Sequence, residues 1–324
     1  MKRKIIIGMK RPGNIKNLVN KIFRFGFMIP FGNLFIVYFG RLLSPARLSA
    51  FAKRRHQTIE NKILEIVGYD VFNTSNLRVS NVQDNANVWV LWLQGEDNMP
   101  ELVKVCLESI KKNAGGRNVV VLSNSNIHEY ISIPERIKDL YNKGSISNAH
   151  YSDIIRMALL SRHGGIWIDA TIFLTSNLDD WIFNTDLYTI KNVPTGTYVS
   201  ECRWAGFFMA TKPMGHLPVI VDRIFTSYWE KEDVLIDYFF IDYAIDLAYK
   251  HNVTVKQQID SLEENNPQIY NLLPLLTEKF DSQKFSMLTK DTYIFKLSWK
   301  KYSLSDLQRS DTFYTHLKDQ YLNC

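Results

Sequence analysis

Between residues 149 and 163, Ile154, Ile155, Ala158, Leu159 and Leu160 fall on one stripe at helical spacing, which predicts a helix. Asp153 and Arg156 lie one turn apart on a shared polar face of that helix, so both can reach one ligand. Gly164-Gly165 stops it, because glycine takes the left-handed conformation a helix C-terminus asks for. Ile166, Trp167 and Ile168 then read as a buried strand that ends on Asp169. Upstream, residues 88–93, 100–112 and 118–122 alternate strand, helix, strand, with Pro100 suited to a helix's first turn. Downstream, 187–190 and 206–210 extend the sheet, and 216–229 and 234–250 read as helices. Before the first strand, 56–71 reads as a helix with Ile59, Ile63, Ile66 and Val67 on one side, and polar residues 73–87 mark a loop. Short β-α-β alternation argues for an α/β fold with a mainly parallel sheet. Such sheets bind ligands beyond the carboxyl ends of their strands, where Asp169 sits.

Charge changes this picture at the N-terminus. The net charge of +6 is unevenly distributed: residues 1–56 hold thirteen Lys and Arg and no acidic residue, leaving 26 basic against 33 acidic residues elsewhere, a balance of −7. A division into a basic, partly amphipathic helical arm, 1–80, and a catalytic domain, 81–324, follows. A segregated basic arm is attracted to an anionic membrane surface. Its apolar run between Phe25 and Leu43 is interrupted by Gly26, Pro30, Gly32, Asn33, Gly40 and Arg41, too broken for a spanning helix, so an in-plane segment with a break near Pro30 is expected. A basic helical face covering the catalytic domain is the competing reading. A nucleic-acid partner is disfavoured, since the remainder is net acidic and the arm has no nucleic-acid-binding motif. Cys106, Cys202 and Cys324 form no Cys-x-x-Cys pattern, which supports neither a disulfide framework nor a zinc site and suits a reducing cytoplasm. Cys106 reads as a core residue.

The run Ser152-Asp153, Arg156, Leu159-Leu160, Gly164-Gly165, Trp167, Asp169 resembles the capsular polysaccharide synthesis glycosyltransferases, which are related to glycosyltransferase family 32. So do Trp89-Val90-Leu91-Trp92-Leu93-Gln94-Gly95-Glu96, Pro100-Glu101-Leu102-Val103, Ser109-Ile110-Lys111-Lys112-Asn113 and Asp237-Tyr238-Phe239-Phe240-Ile241-Asp242, and the likeness covers roughly 88–302. The resemblance implies a glycosyltransferase A architecture, a nucleotide-binding α/β sandwich. It also implies retaining transfer of a hexose, galactose or glucose, from a UDP-sugar donor.

By the same resemblance Asp153 and Arg156 bind the hexose hydroxyls, and Asp169 serves the sugar, the ribose or a metal shell. A carboxylate accepting from vicinal hydroxyls and a guanidinium donating as a planar fork suit a sugar's edge. The structural alternative is a helix N-terminal carboxylate ion-paired with Arg156. Many relatives carry Asp-x-Asp where this chain has Asp169-Ala170-Thr171, so a divalent cation, Mn²⁺ or Mg²⁺, would rest on Asp169, with Thr171 a doubtful ligand. Metal use is compatible with the pattern and not established by it. Trp92 and Gln94 are the expected neighbours of the nucleotide base, Trp92 in preference to Trp89 because the two lie on opposite faces of a regular strand; the competing reading buries both. Lys296-Leu297-Ser298-Trp299-Lys300-Lys301 resembles the segment that closes over the diphosphate, with Ser298 and Trp299 in the phosphate and metal shell and Lys300 offsetting leaving-group charge; an exposed basic strand end competes. Asp237 is assigned to catalysis at the acceptor side or the sugar's β face, whereas Asp242, about 140° around the helix, reads as a solvated carboxylate.

The expected function is transfer to a lipid-linked capsular or exopolysaccharide repeat unit, at the inner face of the plasma membrane. The alternative is a non-catalytic, membrane-associated sugar-binding subunit of the same assembly.

Overall fold

The computed structural model describes residues 15–32, 42–80, 86–193, 198–307 and 309–322. Ser44 and Pro45 start the long N-terminal helix: the Ser44 hydroxyl accepts from the Arg47 N–H and Pro45 occupies the first turn. This helix follows α1 (Ile15–Phe25) and is α2 (Pro45–Val67); it ends where Gly68 turns to φ 78°. It therefore begins well before residue 56 and stops short of 71. Lys53 and Arg54 face solvent, so they hide the helix from an apolar-stripe reading. Its inner face carries Ile59, Ile63 and Val67 into the same core as Trp89 and Leu91. The expected boundary at 80 is thus no boundary of the core. In the arm, the break falls at Gly26, φ 76°, and Pro30 lies inside a helical stretch, 28–32. Residues 33–41, part of the expected in-plane segment, and Cys324 lie outside the described residues. Among the described residues, no helix is long and apolar enough to cross a membrane.

The layers of the main core follow: β1 (Val88–Leu91), α3 (Glu101–Asn113), β2 (Val119–Leu122), α4 (Glu135–Asn142), α5 (Asn148–His163), β3 (Gly165–Ile168), β4 (Ile172–Leu174), α6 (Asp180–Phe183), β5 (Leu187–Thr189), β6 (Phe208–Thr211), α7 (His216–Lys231), α8 (Phe240–His251), α9 (Val253–Asp260), α10 (Ser282–Thr289), β7 (Ile294–Lys296), α11 (Leu304–Leu307) and α12 (Phe313–Leu322). Five strands form one sheet in the order β2-β1-β3-β6-β5. β1 pairs in parallel with β2 and β3, with Val88 opposite Val119 and Ile166. β6 runs against both β3 and β5, so four of the five strands point one way and the expected α/β, mainly parallel sheet is what forms. Period-two alternation splits the side chains: Trp89, Leu91, Trp167 and Met209 enter the core under α2, α5, α7 and α8, while Val88, Val90, Ile166 and Phe208 enter the opposite one. Cys106 is buried in a third cluster with Phe173 and Phe295, and burial pushes its thiol up to about 12.

A second, two-stranded sheet pairs β4 with β7, setting Ile172 opposite Lys296. Neither strand stood out as periodic. The helix expected from 234 begins only at Phe240, which leaves Asp237 in the turn ahead of it.

Gly165 is fixed by two constraints: its φ is 89°, and a Cβ there would stand 2.3 Å from the Asn87 carbonyl oxygen. That oxygen accepts from the Ile166 N–H at 3.0 Å and locks β3 to the chain entering β1. Gly165→Ala is expected to cost about 2–5 kcal/mol by adding left-handed strain to a backbone clash, read as a lowered thermal midpoint.

Candidate active site

The carboxyl ends of β1 and β3, the second turn of α5 and the end of β7 meet at one edge of the molecule. Ser147 caps α5 by accepting from the His150 N–H at 3.3 Å, which sets the helix phase. Asp153 and Arg156 then share a face, as the sequence spacing requires, and Arg156 Nη1 meets Asp153 Oδ1 at 3.0 Å. The other fork nitrogen, Nη2, reaches Asp169 Oδ1 at 3.1 Å. Trp167 Nε1 donates to the same oxygen at 2.9 Å, and its ring lies under the guanidinium at 4.9 Å. His150 lies beside Asp153, one turn earlier on α5, without a hydrogen bond between them. Its Nε2 accepts from the Trp229 indole at 3.0 Å, so its proton sits on Nδ1, 3.6 Å from Asp153 Oδ2.

Asp169 follows β3 directly; its N–H donates to the Phe207 carbonyl at 2.9 Å, and its own carbonyl closes the turn into β4 by accepting from the Ile172 N–H. Lys296 Nζ reaches Asp169 Oδ2 at 2.7 Å from the end of β7. Burial by itself raises the Asp169 carboxyl; Lys296 and then Arg156 outweigh it and hold the group below the ordinary carboxylate value. Asp153, Arg156 and Asp169 therefore converge as the motif suggested. Lys296, assigned no role from sequence, completes the arrangement.

Beyond Lys296 the chain turns through half-buried Ser298 to Trp299, whose ring meets Trp92 edge-on with centroids 6.0 Å apart. Lys300 Nζ lies 4.9 Å from the Trp299 ring centre. Trp92 is half-buried and its Nε1 donates to the Asn98 carbonyl; Gln94 is exposed in the turn that follows β1. Trp89, in contrast, is buried in the core with Nε1 donating to the Gly164 carbonyl at 2.8 Å. Trp92, Ser298, Trp299 and Lys300 are thus one continuous surface beside the Asp169 group, joined to it by β7.

Asp237 belongs elsewhere. It is 4% exposed and ion-paired with Arg55 of α2, while its Oδ1 accepts from the Phe239 N–H at 2.9 Å, capping the turn into α8. The structure pairs it with Arg55 and not with the sugar-binding group, which corrects its assignment to catalysis: a 4% exposed carboxylate held by a buried arginine and a backbone N–H offers substrate no open approach. Asp242, expected to be solvated, takes the site-facing position. Trp204 Nε1 donates to its Oδ1 at 2.9 Å. Burial raises its carboxyl to about 6; the Trp204 hydrogen bond opposes this, the charge of Asp153 adds to it and Arg156 opposes it. Gly206 leaves room for this packing, since a Cβ there would come within 3.0 Å of Arg156 Nη1.

A divalent cation fits these residues poorly. Hard dications want several oxygen ligands of negative or neutral character, but both Asp169 oxygens already face cations, Oδ1 the Arg156 guanidinium and Oδ2 the Lys296 ammonium, whose charge repels a dication while leaving room for a neutral hydroxyl. Thr171 supplies a hydroxyl in place of a carboxylate, and among the described residues no three His, Cys, Asp or Glu side chains group as a metal site.

Comparison with known proteins agrees with the motif reading. The chain is 31% identical over 112 residues to the O-glycosyltransferase braB of Annulohypoxylon truncatum, a stretch that takes in 32% of this chain and 27% of that protein. It is 34% identical over 112 residues to an uncharacterized glycosyltransferase of Acanthamoeba polyphaga mimivirus, covering 32% and 43%. The match therefore spans less than half the length of either relative. Among solved structures, the PaToxG glycosyltransferase superposes with a TM-score of 0.38 at 11% identity, over 75% of this chain and 99% of that one. The profile of the capsular polysaccharide synthesis proteins matches residues 41–317, most of the chain, and this protein belongs to that family.

Proposed function

We propose that this protein is a glycosyltransferase that moves a hexose, galactose or glucose, from a UDP-sugar to a lipid-linked oligosaccharide during capsule or exopolysaccharide assembly. The observation that carries the reading is the convergence of Asp153, Arg156, Asp169 and Lys296 beyond the strand ends, beside the Trp92–Trp299 surface. The glycosyltransferase names of both relatives support it.

In this reading the carboxylates of Asp153 and Asp169 accept from hexose hydroxyls and Arg156 holds both in place. The base and ribose lie against Trp92 and Trp299, with Gln94 at the base edge. Ser298 donates to the diphosphate, and Lys296 and Lys300 face it. Transfer breaks the bond between the anomeric carbon and the phosphate oxygen, whose electron pair stays on the diphosphate. The acceptor oxygen bonds to the anomeric carbon and gives its proton to the departing diphosphate. Cations fixed where that negative charge grows lower the barrier. Retention of the anomeric configuration is part of the proposal by family resemblance.

Asp242, half-buried and within the electrostatic reach of Asp153 and Arg156, accepts from an acceptor or donor hydroxyl when ionised. Because burial raises its carboxyl to about 6, its stabilising contribution to the fold is full in acid and lost as pH rises through about 6, while its use in the site grows over the same interval. Transfer is therefore expected to rise through pH about 6 to a plateau, and Asp242→Asn to remove that step from the pH–rate profile.

A location at the cytoplasmic face of the plasma membrane belongs to the same proposal. The basic arm supports it, as do Phe23, 85% exposed, and Phe27, 67% exposed, on described parts of that arm. A panel of UDP- and GDP-sugars scored for donor hydrolysis and for transfer tests the function. Turnover of a UDP-hexose supports it; binding without turnover of any donor would favour a non-catalytic sugar-binding subunit.

A further inference from the structure

We infer that the Lys296 ammonium stands in for the divalent cation of an Asp-x-Asp site, so that the donor diphosphate is held without metal. The inference rests on the nucleotide-sugar reading above and specifies how that site manages phosphate charge.

Lys296 cannot easily make way for a cation. Its backbone is held on both sides: β7 pairs with β4 through the Ile172–Lys296 register, the Leu297 N–H donates to the Thr171 carbonyl at 2.8 Å, and the Lys296 N–H donates to the Ile269 carbonyl at 2.8 Å. Its ammonium is fixed between Asp169 Oδ2, 2.7 Å away, and the face of Phe207, 4.9 Å from the ring centre. A dication bound to that same carboxylate oxygen would face a like charge a few ångströms away, with Arg156 repelling it from Oδ1. Thr171, where a second carboxylate would stand, is tied through its backbone to the strand that carries Lys296. Thr171, in place of a second acidic ligand, thus lies in the turn that leads into β4, and the Lys296 ammonium comes from the end of its partner strand β7.

The ammonium has three donors, and Asp169 takes one. Two remain for diphosphate oxygens, and Lys300 adds a second positive charge on the turn that follows β7. Asp169 then acts as a positioning residue for Lys296 as well as a sugar ligand, which gives its carboxylate a use that does not depend on metal.

The test is calorimetric titration of UDP into wild type, Lys296→Ala and Lys296→Arg, each in EDTA and in Mn²⁺, with circular dichroism to confirm folding. The wild type is expected to bind UDP with the same affinity in both buffers. Lys296→Ala is expected to weaken binding about 10- to 100-fold in both, the loss of charge-assisted hydrogen bonds to phosphate, while Lys296→Arg keeps most of it. Wild-type binding that appears only with Mn²⁺, or full affinity in folded Lys296→Ala, overturns the inference and leaves the transferase reading standing. Failure to bind UDP in either buffer overturns the donor reading and the inference with it.

Discussion

Asp169→Asn is expected to reduce sugar transfer about 10²- to 10³-fold, the scale seen when one preorganised polar group facing developing charge is lost. The amide keeps the volume and one carbonyl acceptor, but it removes the negative charge that Lys296 and Arg156 share. Placed at Oδ2 its NH₂ faces the Lys296 ammonium, donor against donor, and placed at Oδ1 it faces both Arg156 and the Trp167 indole N–H, so at least one of these contacts breaks. The guanidinium and ammonium then repel each other without an intervening carboxylate, and the geometry offered to the hexose and diphosphate is lost together. The fold itself should survive, because the group is partly open to solvent and ends a strand. Steady-state transfer at saturating donor, with an unchanged thermal midpoint, checks this; activity within a few-fold of wild type would remove Asp169 from the site.

Asp237→Ala is expected to act the other way, on stability. Its pairing with Arg55 is buried on both sides, and Arg55 Nη1 also donates to the Tyr243 hydroxyl at 3.1 Å and Nη2 to the Ile29 carbonyl at 3.3 Å. Removing the carboxylate strands an arginine that is 2% exposed where α2, α8 and the arm meet, at a cost of about 3–5 kcal/mol. Denaturant titration should show that loss, and the fraction that stays folded should turn over donor at the wild-type rate. A stable variant with abolished turnover would return Asp237 to catalysis.

These two residues also show where the sequence could be read and where it could not. From Asp153 to Asp169 everything needed was local: a helical stripe fixed the phase of Asp153 and Arg156, two glycines fixed the stop, and a three-residue apolar strand delivered Asp169 to the sheet's edge. The Asp237–Asp242 choice was not local. It turned on whether α8 starts at 234 or at Phe240, and on Arg55, which lies 182 positions away and captures Asp237. Lys296 was hidden for the same reason. It lies 127 positions from Asp169, and the strand that presents it is three residues long, below what alternation can reveal. A basic side chain ending an apolar run, just before Ser298-Trp299-Lys300, was the available signal. The N-terminal arm misled differently, because its charge segregation suggested a separate unit although α2 buries Ile59 and Ile63 in the main core.

The central claim is that one donor hexose is held jointly by Asp153, Arg156 and Asp169. A crystal structure of the protein with a UDP-hexose tests it most directly. The claim predicts sugar hydroxyls within hydrogen-bond distance of both carboxylates and the guanidinium, with the uracil against Trp92 or Trp299. A nucleotide sugar bound elsewhere, with the Asp153–Arg156–Asp169 group untouched, would contradict it.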